Sequence, residues 1–240
     1  MIIYRFSGFL SAFLLLLTVS ASGQNNDAAL WLSVNVEKLL TSKTSVTFTE
    51  ECRLNENISR AGTVFTDLGI SHKLNKTFTV SLNYRFIQRR NLDASYSTRH
   101  RFYVDVSGRR KAGKFSFTLR ERVQFQIRDY NSSETGRIPE WYLRSKLSVK
   151  YSLGRKITPM VSAEVYFQLS NPGNNEIDNL RLAAGFEYEI NKRHSIEPYY
   201  LIQRELNVND PVTDYIIGLG YNLKLWPKSG AGLKVGNAAP

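Results

Sequence analysis

The chain has 240 residues, of which 12% are aromatic, a formal net charge of +11 at pH 7 and a single cysteine, Cys52. A basic balance is common in nucleic-acid-binding proteins, but the sequence has no recognition helix and no aromatic RNA-binding motif, so we expect no nucleic-acid partner. One cysteine cannot form an intrachain disulfide, and the fold must be stable without one. No linker-like shift in composition divides the chain, which predicts one folded domain.

The first residues have the layout of a secretory signal peptide. Arg5 supplies the positive charge, residues 9–19 form an apolar run, and residues 21–23 supply the small side chains of a cleavage site. The run is shorter than the about 20 residues that a membrane-spanning helix needs, so a retained anchor is the weaker alternative. We therefore expect a signal peptide over residues 1–23, a mature chain that begins at Gln24, and a C-terminal tail over residues 227–240.

The rest of the chain is dominated by alternating side chains. In residues 77–86 every even position is apolar or aromatic and every odd position is polar or charged. Side chains of a β-strand point alternately to its two faces, so this segment predicts a strand with one apolar and one polar face. The same pattern predicts strands at 29–37, 44–55, 62–72, 77–90, 98–108, 114–128, 141–152, 158–169, 179–190, 195–206 and 213–225.

Alternation alone is compatible with two kinds of barrel. A soluble barrel turns its apolar face inward, whereas a membrane barrel turns it outward. Aromatic residues near strand ends, connections that alternate between short and long, and the aromatic-ended last strand at 215–226 favour the membrane version. We therefore predict an all-β, antiparallel, up-and-down transmembrane β-barrel over residues 24–226 in the bacterial outer membrane. Its expected partners are outer-membrane lipid and, through the C-terminal strand, the barrel assembly machinery.

Several short segments carry a family resemblance. They are Trp31, the sequences NYRF at 83–86 and RHRF at 99–102, and the sequence GLGYNL at 218–223. Together they resemble a domain-of-unknown-function family of bacterial outer-membrane β-barrel proteins, over nearly the whole mature chain. This resemblance implies a location and a fold, and it brings no catalytic residues with it.

The pattern allows two strand counts. Bacterial single-chain barrels have even numbers of strands, whereas the sequence contains an odd number of alternating segments. About ten strands, from residue 44 to residue 225, would form an even barrel. Residues 29–37 would then be a non-standard strand, a segment inside the lumen or an extra edge. A barrel of twelve strands is the alternative.

Charged residues lie on the face that a membrane barrel turns toward its lumen. The candidate charge network consists of Arg85, Arg99, Arg101, Asp105, Arg120, Arg122, Arg144, Lys146, Glu164, Glu187, Glu189 and Glu197. A barrel of this size has a narrow interior and an unpaired buried charge is costly, so we expect these groups to pair across the lumen and plug it. The alternative is a narrow channel or binding barrel for small anionic solutes, since rings of Arg and Lys select anions.

Two acidic residues do not fit the alternation. Glu50 and Glu121 fall on the apolar face, where a charge at the depth of the lipid is unfavourable. We expect a β-bulge or a position above the membrane edge at each of them.

Residues suited to catalysis or metal binding are few. His100 lies near an outer strand end, but its same-face neighbours Thr98 and Phe102 supply no serine nucleophile for an outer-membrane lipid hydrolase. The three histidines are far apart in the sequence, so we expect no metal site and no cofactor. We predict that the protein is not an enzyme and has a structural or interaction role, carried by loops such as residues 131–140. The pattern indicates no oligomeric state.

Overall fold

The computed structural model describes residues 25–128, 140–170 and 176–226. These residues form a closed barrel whose strands are β1 (Asn25–Leu39), β2 (Thr44–Asn55), β3 (Arg60–Lys73), β4 (Phe78–Arg90), β5 (Tyr96–Ala112), β6 (Phe115–Arg128), β7 (Glu140–Tyr151), β8 (Ile157–Gln168), β9 (Ile177–Glu189), β10 (His194–Glu205) and β11 (Val212–Leu225). No helix among these residues is long and apolar enough to cross a bilayer. The predicted signal peptide and the predicted C-terminal tail lie outside the described residues.

The barrel is a simple meander that closes on itself. Each strand pairs antiparallel with the next, and β1 also pairs with β11 in parallel, from Asn25 opposite Val212 to Lys38 opposite Leu225. One rim, here the short-turn rim, has connections at 40–43, 74–77, 113–114, 152–156 and 190–193. The opposite rim, here the long-loop rim, has connections at 56–59, 91–95, 129–139, 169–176 and 206–211. The prediction of an all-β closed barrel is confirmed.

The predicted count of about ten strands is wrong, and so is the alternative of twelve. The described residues form an 11-strand barrel, because the segment predicted at 29–37 is a full strand with partners on both sides. In an up-and-down barrel with an odd number of strands, the first and last strands run in the same direction. Closure is then possible only through a parallel pair. The rule of even numbers applies to barrels that close with an antiparallel pair.

The start of β1 is held by the turn between β2 and β3. Glu56, Asn57 and Ile58 in that turn have φ values of 52°, 56° and 65°, a conformation that costs free energy for residues other than glycine. The Asp27 carboxylate accepts hydrogen bonds from the backbone N–H groups of Glu56 at 3.0 Å and Asn57 at 2.7 Å. The carbonyl of Ala28 accepts a third, from Ile58, at 3.0 Å. These contacts offset the strain and fix the first residues of β1.

The two faces of the barrel differ as a membrane barrel requires. Large apolar side chains stand on the outside, where Leu82 is 57% exposed and Val161 is 54% exposed. Charged side chains such as Arg122 and Glu164 are buried on the inside. A soluble barrel has the opposite arrangement. The exterior is therefore apolar and the interior is polar.

Glu50 and Glu121 remain on the exterior, and neither lies at a bulge. Strand pairing continues in register through both residues, and the irregularity in the β2–β3 ladder is between Arg53 and Leu54. Each carboxylate instead accepts a hydrogen bond from a hydroxyl group of the next strand. Thr66 donates to Glu50 at 2.6 Å, and Ser145 donates to Glu121 at 2.5 Å. Neither residue therefore lies at the predicted bulge, and a hydroxyl group of the neighbouring strand instead hydrogen-bonds to each carboxylate.

An apolar cluster lies inside the barrel beside the parallel pair. Ala29, Trp31, Leu201 and Ile216 are buried together, with Ala183 and Tyr199 packed against them. Ile216 is 0% exposed. These side chains come from β1, β9, β10 and β11, so the cluster covers the inner side of the closure between the first and last strands.

Gly218 is needed where Tyr199 packs on the wall. The two residues are cross-strand partners, and a Cβ atom added to Gly218 would lie 2.0 Å from Cζ of the Tyr199 ring. Gly218→Ala is therefore expected to lower the free energy of unfolding by about 1–3 kcal/mol, as overpacking does in other cores. Equilibrium unfolding in urea measures this change.

Gly220→Ala is the matched control, because Gly220 lies on the same strand and face. Its added Cβ would be 3.3 Å from Oγ of Ser33, which a small shift accommodates. In a Tyr199→Ala background, the further substitution Gly218→Ala should lower the free energy of unfolding only slightly, because the ring that it would contact is absent. An equal cost in both backgrounds would show that the Tyr199 ring is not what excludes the methyl group.

Candidate functional site: the arginine–aromatic belt

Arginine and aromatic side chains from consecutive strands form a belt around the interior of the barrel, and they alternate except where Arg122 is followed by Arg144. We call it the arginine–aromatic belt, and its members are Trp31, Arg53, Phe65, Arg85, Tyr103, Arg122, Arg144, Tyr166 and Arg181. Each member comes from a different strand, in order from β1 to β9. Arg181 then reaches past β10 and β11 to Trp31, so stacking contacts join all neighbouring members of the belt except Arg122 and Arg144, which are cross-strand partners.

Stacking of guanidinium groups on aromatic rings holds the belt together. The guanidinium carbon lies 3.7 Å from the ring centroid for Arg53 on Trp31, for Arg85 on Phe65 and for Arg122 on Tyr103. The corresponding distance is 4.0 Å for Arg144 on Tyr166. The guanidinium carbon of Arg181 lies 4.8 Å from the ring centroid of Tyr166 and 5.2 Å from that of Trp31. Such contacts are favourable because the face of an aromatic ring attracts a cation, most strongly where water is excluded.

Strand register places a carboxylate beside two of the belt arginines. Asp67 is the cross-strand partner of Arg85, and its Oδ2 atom is 2.6 Å from Arg85 Nε. Asp105 is the partner of Arg122 and accepts two hydrogen bonds from it, at 2.6 Å and 2.7 Å. The Tyr103 hydroxyl also donates to Asp67 at 2.6 Å. Two-point contact between guanidinium and carboxylate fixes the orientation of both groups.

Glu164 is shared by two arginines. Its Oε1 atom accepts hydrogen bonds from Arg144 Nε at 3.0 Å and Arg144 Nη2 at 2.8 Å, and it also pairs with Arg120. Glu164 and Arg144 are each 5% exposed. A third donor from Arg144 goes to the Gln124 side chain at 3.1 Å. One buried carboxylate therefore neutralises two guanidinium groups only in part.

The structure places all the residues of the predicted charge network on the inner face, and it pairs some of them. Arg85 pairs with Asp67, Arg122 with Asp105, and Arg120 and Arg144 with Glu164. Glu187 pairs with Lys150 at 2.9 Å and accepts a hydrogen bond from Ser195. Within the described ranges, no ion pair is formed by the remaining members Arg99, Arg101, Lys146, Glu189 and Glu197.

The expectation that the charges pair across the lumen is wrong for the pairs found. Arg85 and Asp67 lie on adjacent strands, as do Arg122 and Asp105. Arg120 and Glu164 are two strands apart. Long side chains on a twisted sheet reach their lateral neighbours most directly, so the charges are neutralised along the wall.

Two arginines contact glutamine instead of a carboxylate. Arg101 donates to Oε1 of Gln126 from Nη2 at 2.6 Å and from Nε at 3.1 Å, and the Gln126 amide in turn donates to Glu140 at 3.3 Å. On the other side of the barrel, Arg181 Nε donates to Oε1 of Gln203 at 2.6 Å. The Gln203 amide donates to Asp214 at 3.2 Å. In each case the glutamine amide lies between the guanidinium group and a carboxylate. Its oxygen accepts from the arginine, and its NH2 group donates to the acid.

Sequence reasoning missed the aromatic half of the belt. Aromatic side chains were expected mainly on the lipid face, and the exterior does carry them. Phe102 and Phe125 are stacked with ring centroids 5.2 Å apart, and the rings of Phe125 and Trp141 are tilted with centroids 5.0 Å apart. Tyr103 and Phe65 point inward. The signal was present, because Tyr103 alternates in step with Arg101 and Asp105, and Phe65 with Asp67.

His100 has an aromatic environment on the exterior. Its Nδ1 atom lies 2.8 Å from the Tyr84 hydroxyl, and its ring meets Phe86 edge-on at 5.6 Å. No group of three His, Cys, Asp or Glu side chains suited to a metal ion occurs in the part of the chain that the structure describes.

A family model described as "Protein of unknown function (DUF2490)" matches residues 28–213. The chain belongs to the DUF2490 family. The match extends from β1 into the start of β11 and includes every member of the belt, and it confirms the resemblance to a domain-of-unknown-function family. No curated protein sequence matches this DUF2490 chain.

Three solved structures are similar to the DUF2490 barrel. The NanC porin is 15% identical with a TM-score of 0.52, and the alignment covers 83% of this chain and 99% of that one. The translocator domain of autotransporter NalP from Neisseria meningitidis is 14% identical with a TM-score of 0.39, over 72% and 71% of the two chains. The β domain of the Bordetella autotransporter BrkA is 10% identical with a TM-score of 0.42, over 77% and 85%. At these identities the likeness to the NanC porin shows a shared barrel fold and gives no information about ligands.

Proposed function

We propose that this DUF2490 protein is an outer-membrane β-barrel with a structural or interaction role, whose lumen is closed by the arginine–aromatic belt. Its partners are then outer-membrane lipid around the wall and, during insertion, the barrel assembly machinery at β11. No enzymatic activity is proposed. The interaction role would belong to the loops of the long-loop rim, of which residues 131–139 lie outside the described residues.

The exterior supports the membrane location. Apolar side chains such as Leu82 and Leu119 face outward, and aromatic side chains lie toward both rims. Phe125 and Trp141 pack together toward the long-loop rim, and Phe115 and Tyr151 pack together at the short-turn rim, with 4.9 Å between ring centroids. Membrane barrels carry such aromatic girdles at the two interfaces of the bilayer.

Burial of the belt is the observation that supports a closed lumen. Phe65 is 3% exposed, Tyr103 is 6% exposed and Arg122 is 7% exposed, although all three point into the barrel. Side chains that line a water-filled channel remain accessible to solvent, as in wide porins. Here the belt side chains cover one another, which indicates a packed layer across the interior.

A narrow channel for small anionic solutes is the second candidate function. It is favoured by the inward basic side chains Arg99, Arg101 and Lys146, which form no ion pair among the described residues. Rings of such groups select anions in pores.

Conductance in a planar bilayer tests the proposal. The wild-type barrel should show no steady open-channel current, because the belt blocks ion flow. Replacing both Arg85 and Arg122 by alanine should produce measurable leak, since each substitution removes a side chain that fills the layer. The control replaces Arg109 and Lys111 by alanine. Both side chains point inward but are exposed near the short-turn rim, so this variant should show no current.

Two results would oppose a closed lumen. A stable open current in the wild-type protein, larger for anions than for cations, would favour the channel. If the double variant of Arg85 and Arg122 conducts no more ions than the wild type, the belt is not what blocks ion flow.

A further inference from the structure

We propose that the short-turn rim binds the headgroups of anionic phospholipids through a repeated turn that joins an exposed aliphatic side chain to a Lys or Arg. This selectivity rests on the proposed membrane location and goes beyond it, because it concerns which lipid the barrel prefers and which residues contact it. The ligand class is a phospholipid with a net negative charge, such as phosphatidylglycerol. The surface lies at the opposite end of the barrel from the long loops.

Three connections of the short-turn rim form the same hydrogen-bonded turn, at 40–43, 74–77 and 190–193. The backbone N–H of the first residue donates to the carbonyl oxygen of the residue that follows the turn, at 2.9 Å in the first turn and 3.0 Å in the other two. The side-chain oxygen of the second residue accepts from the backbone N–H groups of the fourth residue and of the residue that follows, at 2.8–3.1 Å. The second residues are Thr41, Asn75 and Asn191. Such side-chain contacts fix a turn, so the three turns present their other side chains in the same way.

Four turns of this rim carry an exposed aliphatic side chain. Leu40, Leu74 and Ile190 are the first residues of the three matching turns, and Leu153 lies in the connection at 152–156; each is 43–57% exposed. Leu153 follows Tyr151, an aromatic side chain of the girdle at this rim, by two residues. Aromatic girdles mark the membrane interface, so residues just beyond the girdle lie among the headgroups. An aliphatic side chain there gains free energy by entering the apolar edge of the bilayer.

The connections of this rim carry only positive charge. Each of the five contains Lys or Arg, and none contains Asp or Glu. Within the described residues these cations form no ion pair, although Lys156 Nζ lies 3.4 Å from the backbone carbonyl oxygen of Ile190. Glu37 and Glu189, at the short-turn ends of β1 and β9, point into the lumen. The cations of the turns are therefore available to an anion from outside the chain.

The combination of the two side-chain types favours a lipid over a soluble acidic partner. An acidic polymer would neutralise the cations but would offer the four aliphatic side chains no apolar contact. In a bilayer, phosphate groups lie directly above apolar chains, so one turn can contact both. Binding to a membrane surface increases with the apolar area buried and with the attraction to anionic lipids. A zwitterionic lipid supplies the apolar contact without the net charge, so the preference should follow headgroup charge.

Electron paramagnetic resonance of spin-labelled lipids tests this preference in the refolded barrel. The protein is inserted into phosphatidylcholine vesicles that contain a small share of spin-labelled phosphatidylglycerol or of spin-labelled phosphatidylcholine. The fraction of label whose motion the protein restricts gives the relative association constant of each lipid. Phosphatidylglycerol should associate about threefold more strongly at low salt, because each Lys or Arg near an anionic surface adds to the attraction. The preference should decrease as sodium chloride is added, since salt screens exposed charges.

Two variants with the same change in net charge locate the preference. The rim variant removes one cation from each matching turn and combines Lys43→Gln, Lys76→Gln and Lys192→Gln. It should lose most of the preference for phosphatidylglycerol. The control variant removes cations at the long-loop ends of the strands and combines Arg60→Gln, Arg90→Gln and Arg204→Gln. It should keep the wild-type preference. The comparison of the two lipids in the wild type does not depend on either variant folding.

The outcomes distinguish failure of the lipid preference from failure of the proposed function. A wild-type barrel that does not insert into vesicles overturns the membrane location itself. A barrel that inserts but restricts both lipids equally overturns the preference and leaves the location standing. A preference that persists in the rim variant, or that the control variant loses to the same extent, overturns the assignment to the short-turn rim. Binding of poly-L-glutamate to the barrel in detergent, together with equal restriction of both lipids, would assign the cations to an acidic polymer instead.

Discussion

Replacing Glu164 by alanine is expected to lower the free energy of unfolding by about 3–5 kcal/mol, the usual cost of removing one partner from a buried ion pair. The Glu164 carboxylate is 5% exposed and accepts hydrogen bonds from Arg144 while also pairing with Arg120. Its loss leaves two guanidinium groups beside each other without their shared acceptor. Equilibrium unfolding in urea, in phospholipid vesicles, measures the change.

Glu189→Ala is the control for this substitution. Glu189 also points inward, but it is exposed at the short-turn end of β9 and forms no ion pair among the described residues. Its replacement should change the free energy of unfolding by less than about 0.5 kcal/mol. Similar effects for the two variants would mean that Glu164 is solvated and that the belt is open to water.

Leu82→Arg is expected to cost about 2–4 kcal/mol in phospholipid vesicles if the barrel spans a bilayer. Leu82 is in the middle of β4, is 57% exposed, and has Ile70 and Val104 as outward neighbours on the adjacent strands. A charge at this position would face the hydrocarbon of the lipid. In water, the same exterior position would tolerate arginine, so this variant separates a membrane barrel from a soluble one.

Thr79→Arg is the matched substitution on the opposite face. Thr79 is on the same strand, points inward and is paired with Lys73 near the short-turn rim. Its replacement should be tolerated, because an inward arginine at that rim meets water. A cost for Leu82→Arg no larger than that for Thr79→Arg would count against contact of β4 with lipid.

The positions of the strands were predictable because their pattern is local. The segment predicted at 77–90 is β4, Phe78–Arg90, and the segment predicted at 158–169 is β8, Ile157–Gln168. Alternation of Leu82 and Asn83 also gave the correct face for each. The number of strands was not predictable in the same way, because the pairing of Asn35 with Asn222 depends on residues far apart in the sequence.

The inward face of the charged residues was likewise predictable, but their partners were not. Alternation put Arg101 and Arg122 on one face, yet register alone decides that Arg122 meets Asp105 while Arg101 meets Gln126. Glutamine carries no charge and gave no signal. The belt also required Tyr103 and Phe65 to be assigned by their alternation with charged neighbours, in preference to the general tendency of aromatic residues to face lipid.

The parallel pairing of β1 with β11 has a consequence for the order of folding. Strands β2 to β11 can form as consecutive hairpins, each joining two strands that are neighbours along the chain. The strand β1 has a local partner in β2, but its other edge must find β11, which is almost the full length of the barrel away along the chain. Bringing such distant segments together has the largest entropy cost of any pairing in the barrel, so the closure between β1 and β11 should form last. Until then both edges would be open to strands of other chains, which makes this step the one most sensitive to protein concentration during refolding.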